Sequence, residues 1–450
     1  MQIKKEKPLI GFFPCFYSIG ETIPLIKIAK SYLDLGGRVI FFSHRGEYEY
    51  LAEQLDCKIV YLSDILEKLT KEGKLMFTEN TAFIKNVKKI YNHDFVKNAI
   101  AEEIRAFHQT NIALCVSSFN LTTSISARAA HVPLVTVVSG AALPIYYKSG
   151  YGTFPDNFEN IFTRFLPDSI KNFGVRWFIL HNKMLVRPFN RISKQYDVPS
   201  YKYFNDLIIG DQTFVCDDLA FLGVRPSEAH PSNNFIGPII GGNISEREKL
   251  NLDNDVTAFL NKPGKKIVLS MGSTGFKELF LQIVNTLNEK EYRVIAVYTN
   301  LLTAEKIPKT HENILWKKFV PLDKVLEQVD LAIIHGGRGT VYQVAYAGKP
   351  AICYPLLMEH EGNVGNLVRY KCGIRLSKKF FAPETLLKAI AEIFSDYEKY
   401  RHHAQILTES LQKQPGEVVA AQRLMEISAN QTKLVFYNQR NHSSFSDVYR

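Results

Sequence analysis

Nowhere in its 450 residues does the chain hold the run of about 18 apolar residues that a helix needs to cross a bilayer. The nearest stretch, 132–147, is broken by Thr136, Ser139, Gly140 and Pro144. Paired cysteines are missing too: Cys15, Cys57, Cys115, Cys216, Cys353 and Cys372 are scattered, with no CxxC among them. That argues against a disulfide framework and a zinc site, and makes a reducing cytoplasm the default compartment. The N-terminus opens Met-Gln-Ile-Lys-Lys-Glu-Lys and runs straight into a strand-like block, without a secretory core or a small-residue cleavage site. The first strand–helix turn lacks a glycine-rich dinucleotide fingerprint, so a nicotinamide or flavin site is not expected there. No carboxylate cluster suggests a divalent metal, and neither a metal nor a cofactor is expected.

What is present is a globular balance of 46% hydrophobic and 22% charged residues, in a length that favours two large domains. The net charge is +10 and the pI about 9.0. The basic residues are spread rather than blocked, which disfavours nucleic acid as a partner. Simple solubility and a peripheral contact with an anionic membrane, at its inner face, remain open.

Residues 8–14 suit a buried parallel strand, Leu25, Ile28, Ala29, Tyr32 and Leu33 recur at helical spacing, and Gly36-Gly37 stops that helix. Further strands are expected at 38–43, 59–62, 112–116, 134–138, 207–210 and 213–216, with a Lys-rich helical stretch reaching about 108 and a helix over 122–130. Residues 145–205 interleave Tyr, Phe and Trp with Arg and Lys, and suggest irregular helices and loops over a cleft. Glycine and proline at 237–264 mark a linker. A second series follows, with strands at 266–270, 293–298, 314–320, 331–335 and 351–354 and helices between them. Residues 382–395 and 398–428 look helical, with a break at Pro415-Gly416. The predicted organisation is a first domain over 1–240, a linker over 241–262, a second domain over 263–395, helices over 396–430 and a loose tail over 431–450. The fold class is α/β, with two Rossmann-like doubly wound domains facing a cleft.

The segment richest in chemistry is Leu331-Ala-Ile-Ile-His335-Gly-Gly-Arg-Gly339-Thr340-Val-Tyr-Gln343. A buried strand ends in His335, glycines turn the chain, and a helix starts. Free N–H groups and the positive dipole end of such a helix suit phosphate. Gly336, Gly337 and Gly339 allow close backbone approach, and Thr340 and His335 add donors. The spacing is not that of a Walker loop. The same pattern also fits an ordinary strand–helix turn. After the next strand, Glu359 sits at a helix start. It can accept hydrogen bonds from vicinal sugar hydroxyls, or simply complement the helix dipole.

His335-Gly-Gly-x-Gly339-Thr340, Ala347-Gly-Lys-Pro350, Pro355, Glu359-His360, Asn363 and Cys372-Gly373-Ile together resemble the donor signature of family 1 glycosyltransferases. These are UDP-dependent enzymes with the GT-B fold; the bacterial macrolide and antibiotic types and the sterol types are the nearest in pattern. Gly20-Glu21-Thr-Ile-Pro24, Phe235-Ile-Gly237-Pro238, Ser270-Met-Gly272-Ser273 and Phe319-Val-Pro321 extend the likeness over most of the chain. The resemblance implies that Phe319 lies against the nucleobase and that Gln343 takes the place of a ribose-binding Glu. It implies that His335, Gly337, Gly339, Thr340 and Ser273 hold the diphosphate. Glu359, His360 and Asn363 would face the sugar. His360, where plant members associate a His with galactose, hints at that hexose. The resemblance also implies that 1–240 is the acceptor-binding domain, that 263–395 is the nucleotide-sugar-binding domain and that the helices over 396–430 cross back to the first domain. A UDP-sugar is then a co-substrate, the acceptor a small-molecule or lipid-like hydroxyl, and the transfer inverting and metal-independent.

The acceptor half departs from the family. Glu21 stands where the family has a catalytic His, and Ser117 or Ser118 where it has a supporting Asp. Glu21 is the candidate base, or a helix N-terminal acid. Ser139 and Tyr146 are the candidate acceptor contacts, although the aromatic residues 146–158 also suit a core. His44 is expected as a solvated loop residue and His131 as a turn residue. Two other readings stay open: an inactive homologue that binds a nucleotide sugar or activates a partner, and a UDP-sugar epimerase on the same fold.

Overall fold

The structure, a computed structural model, describes residues 7–62, 91–240, 251–272 and 276–429. Short apolar runs form a first sheet of seven strands. They are β1 (Leu9–Phe13), β2 (Arg38–Ser43), β3 (Ile59–Tyr61), β4 (Leu114–Ser117), β5 (Leu134–Val138), β6 (Gln212–Val215) and β7 (Asn233–Phe235). All pair in parallel in the order β3-β2-β1-β4-β5-β6-β7. Parallel strands covered on both faces need no polar alternation, and β4 and β5 are buried along their whole lengths. Local chemistry sets the helix ends. The Asn92 side chain accepts the Phe95 N–H at 3.0 Å to open the His93–Thr110 helix, and Asn111 in the left-handed region closes it.

A second sheet of six strands repeats the plan with β8 (Lys266–Ser270), β9 (Arg293–Val297), β10 (Ile314–Lys317), β11 (Leu331–Ile334), β12 (Ala351–Cys353) and β13 (Gly373–Arg375). Its order is β10-β9-β8-β11-β12-β13, again all parallel. The Lys277–Leu287 helix lays Phe280, Ile283, Val284 and Leu287 on this sheet's core. Strand order reverses between β1 and β4 in the first sheet and between β8 and β11 in the second. Ligands of doubly wound sheets bind beyond the carboxyl ends of the strands at such reversals. Phe13 is paired with Ser117 at one of them, and Ser270 with Ile334 at the other.

The described residues divide into two compact units. The first draws on Met1–Gly150, Phe173–Ile239 and Gln412–Arg450, the second on Tyr151–Asn172 and Ile240–Leu411. Residues 151–172, grouped by the sequence with the first half, therefore belong with the second. The Arg369 guanidinium lies 4.4 Å above the Tyr151 ring, and Arg375 donates to Asp156 at 2.7 Å. The Tyr397–Ser410 helix also stays in the second unit, where Thr408 Oγ1 donates to the Ala345 carbonyl at 2.6 Å. The Gly416–Ala429 helix is the one that joins the first unit, packed on the Ile19–Asp34 helix with Lys27 3.9 Å from Glu417.

Two local expectations change. Residues 207–210 are not a strand: Phe204–Ile208 is a 3₁₀ turn, because the Asp206 carboxylate accepts the N–H groups of Lys202 and Tyr203 at 2.8 Å each. The stretch expected as linker contains a helix, Asn254–Leu260. Residues 241–250, the expected tail 431–450, and the part of the Lys-rich stretch at 63–90 lie outside the described residues.

The final helix starts against backbone. A Cβ on Gly416 would sit 2.4 Å from the Gly237 carbonyl oxygen, whereas one on Gly20 would meet nothing within 4 Å. Gly416→Val is therefore expected to destabilise the chain by about 1–3 kcal/mol. Gly20→Ala, inside a helix, should gain roughly 0.5–1 kcal/mol. Urea unfolding of both variants checks the pair, and equal effects would contradict this packing.

Candidate functional site

The second unit builds its site from two strand ends. β11 delivers His335, and Gly336 at φ +88° turns the chain so that Gly337 caps the Arg338–Tyr346 helix. The His335 imidazole is buried and wedged between two backbones. A Cβ on Gly272 would lie 2.5 Å from its Nε2, and one on Gly337 2.4 Å. Neither position tolerates a side chain without moving the ring. A Cβ on Gly336 would lie 2.6 Å from Val364 Cγ2 and 3.1 Å from the His360 carbonyl. The Met358–Arg369 helix can close on the glycine turn only because that Cβ is missing. Asn363, buried, completes the joint by donating from Nδ2 to the Gly336 carbonyl at 3.0 Å.

The His360 ring meets the His335 ring edge to face, with centroids 4.9 Å apart. His360 Nδ1 accepts the Leu356 N–H at 3.4 Å, which leaves its proton on Nε2. Burial pushes the His335 pKa down to about 4, opposed by a hydrogen bond with the Ser270 backbone. His360 is lowered as well, first by burial, then by His335 and Lys378. Two neutral imidazoles therefore stand beside the helix start at neutral pH, where a neutral ring N–H can donate without a permanent charge.

The other donor-side candidates fall on three further segments. Thr340 and Gln343 sit half-buried on the first turns of the Arg338–Tyr346 helix, Gly339 between Arg338 and Thr340, and Phe319 half-buried just past β10. Glu359 is in the first turn of the Met358–Arg369 helix. Ser273 lies outside the described residues.

Two cations went unnoticed in the sequence. Arg338, the variable residue of the glycine motif, is buried with its guanidinium 3.9 Å from Glu359, and so links the two helix starts. Lys378 donates to the Leu356 carbonyl at 2.8 Å and lies 4.7 Å above the Phe276 ring. Burial lowers its pKa to about 8, against the pull of Glu361 and Asp156. An Arg at a helix N-terminus opposes the dipole, and that conflict was the available signal for Arg338. Nothing in the pattern marked Lys378.

In the first unit, Glu21 stands in the first turn of the Ile19–Asp34 helix, and the buried Ser118 hydroxyl donates to its carboxylate. Of the two serines at the family's Asp position, it is Ser118 that reaches Glu21. Ser117 instead accepts from Thr123 Oγ1 at 3.0 Å. His44 is not the solvated loop residue expected. It is buried after β2, tilted against the Phe13 ring at 5.2 Å, with Nε2 2.7 Å from the fully buried Glu103. Glu103 also accepts from Thr122 and Ser126. His131 takes a left-handed turn conformation, in keeping with a turn residue. Ser139 is buried and donates to the Asp217 carboxylate at 3.2 Å, and Tyr146 is buried edge-on to Tyr147. Among the described residues, no group of three or more His, Cys, Asp or Glu is placed to hold a metal ion.

Residues 283–427 match the family model of the erythromycin biosynthesis protein CIII-like C-terminal domain. The chain is 26% identical over 164 residues to the NDP-glycosyltransferase YjiC of Bacillus subtilis, covering 36% of this chain and 40% of that protein. It is 25% identical over 287 residues to the 2-hydroxyacylsphingosine 1-beta-galactosyltransferase of Homo sapiens, covering 62% and 50% respectively. The chain thus spans about half the length of these curated relatives. Solved structures align over nearly all of it. A kitacinnamycin glycotransferase covers 94% of this chain and 99% of its own at TM-score 0.67 and 15% identity. A spinosyn rhamnosyltransferase complexed with thymidine diphosphate covers 93% and 100% at TM-score 0.62 and 15% identity. The fold is GT-B.

The buried imidazoles have a consequence for stability. A His whose folded pKa is depressed is neutral in the native state but takes up a proton on unfolding below about pH 6.5. Its contribution is complete above that pH and is lost as pH falls towards the folded value near 4. For His335 the shift corresponds to about 3 kcal/mol as an upper bound. Urea midpoints should fall between pH 6.5 and 4 for the wild type, and fall less for His335→Gln. Identical pH slopes would contradict a buried neutral His335.

Proposed function

We propose that this GT-B chain, with its family 1 donor signature, is itself a glycosyltransferase. It moves a hexose from a UDP-sugar to a hydroxyl of a small-molecule or lipid-like acceptor, with inversion and without a metal. The observation that carries the reading is the His335 wedge. A neutral imidazole and a glycine-turned helix start stand together at the strand-order reversal of the second sheet. This is where developing charge on a diphosphate leaving group would be met by fixed dipoles. Arg338 and Lys378 add positive charge beside it.

Glu21 is the base in this reading. The Ser118 hydrogen bond orients it. The acceptor O–H gives its proton to Glu21, and its oxygen attacks the anomeric carbon. The bond from that carbon to the phosphate oxygen breaks, and UDP leaves with the electron pair. Phe319 then stacks on the base, Gln343 serves the ribose, Gly337, Gly339, Thr340 and Ser273 serve the diphosphate, and Glu359 with His360 and Asn363 serves the sugar. Ser139 and Tyr146 would touch the acceptor. Both side chains are buried and Ser139 is committed to Asp217, so Ser139 is the weaker-placed donor unless that bond is exchanged. The names of the relatives support both acceptor classes, since one is a 2-hydroxyacylsphingosine galactosyltransferase and another the glycotransferase of kitacinnamycin. A spinosyn enzyme that holds thymidine diphosphate makes that nucleotide the second reading for the donor.

Incubation with labelled nucleotide sugars tests the proposal. Glu21→Gln is expected to lower kcat about 10²–10⁴-fold with nucleotide binding intact. His335→Ala and Glu359→Ala should lose activity while remaining folded. Nucleotide binding with no turnover for any donor would favour an inactive homologue instead. Calorimetric titration with UDP and thymidine diphosphate decides the base: tighter thymidine diphosphate overturns the UDP assignment.

A further inference from the structure

The segment that opens on Ile161 leaves an unusual amount of apolar surface uncovered. Phe162 is 83% exposed, Phe165 82% and Trp177 57%, and Ile161, Leu166, Ile170 and Phe173 are exposed as well. Ile170, Phe173 and Trp177 follow at i, i+3 and i+7 along the Asp168–His181 helix and so share one face. Val175 is the sole buried residue of that helix. A Phe or Trp side chain offers about 150–250 Å² of largely apolar surface, so three of them exposed within sixteen residues is a large uncovered area.

Charge identifies the occupant. Residues 161–194 hold seven Lys and Arg (Arg164, Lys171, Arg176, Lys183, Arg187, Arg191 and Lys194) against Asp168 alone, a net +6 within a chain of net +10. Arg164, Lys183, Arg187, Arg191 and Lys194 are exposed. A second copy of the same patch would set these cations against each other across a two-fold contact. An anionic bilayer would attract them, while Phe and Trp enter the headgroup boundary. The Trp177 ring stacks on His181 at 5.3 Å, which gives its apolar body a polar flank. At 14 residues the helix is about 21 Å long, short of a bilayer core.

We propose that the Asp168–His181 helix and the turn before it, from Ile161, form an interfacial anchor that lies in the plane of an anionic lipid membrane. This does not depend on the transferase reading. The full chain should sediment with phosphatidylcholine vesicles containing phosphatidylglycerol at least about tenfold more tightly than with phosphatidylcholine alone, and salt should weaken it. Trp177 and Trp316 are the two tryptophans, so Trp316→Phe makes Trp177 fluorescence a local reporter. Its emission should shift to the blue on anionic vesicles. The Phe162→Ser, Phe165→Ser, Trp177→Ser triple variant should lose vesicle binding at an unchanged melting temperature. Absence of wild-type binding, an unshifted Trp177 emission, or binding that survives the triple variant would each overturn the proposal. So would a dimer in light scattering that the triple variant splits, since a second copy would then cover the patch.

Discussion

The second unit of this molecule depends on one steric constraint: an imidazole pressed between two backbones. His335 can occupy the end of β11 only because Gly272 and Gly337 lack side chains. That wedge couples the loop after β8 to the start of the Arg338–Tyr346 helix. Gly336 then lets the Met358–Arg369 helix close on the same turn, and Asn363 ties it there. Three chain segments are thus held at one strand-order reversal by missing Cβ atoms rather than by strong bonds. Burial, the inevitable result, keeps both histidines neutral. A rigid, uncharged donor pair beside a helix start is a preorganised environment for charge that appears only during reaction.

The first unit uses the same topology with different chemistry. Its reversal between β1 and β4 gathers hydroxyls and carboxylates: Ser118 on Glu21, Ser117 with Thr123, and Glu103 as the common acceptor for His44, Thr122 and Ser126. A buried carboxylate is costly unless its oxygens are satisfied, and Glu103 collects three donors. The His–carboxylate pair of this unit is therefore His44 with Glu103, while Glu21 leans on a serine. Phe162, Phe165 and Trp177, by contrast, lie exposed.

Much of this was legible in advance because parallel strands and helices write their period into the chain. The run at Leu331–Ile334, the glycines after it and the apolar stripe of Lys277–Leu287 needed no tertiary information. Residues 207–210 misled because an apolar run reads as a strand, whereas Asp206 captures two backbone N–H groups and turns it. His44 misled because position at a strand end says nothing about a partner 59 residues away. Arg338 hid in a position that the motif leaves variable, and Lys378 had no local mark at all.

The sequence by itself determined the two α/β series, the glycine turn at 335–340 and the placing of Glu21 at the start of the first helix. Those are matters of period, glycine placement and residue type, all local along the chain. Tertiary structure alone decided that Ser118 serves Glu21, that residues 151–172 belong with the second unit, and that His335 is a buried wedge needing Gly272. Each of these joins groups far apart in sequence, and burial and hydrogen-bond geometry exist only once the chain has closed on itself.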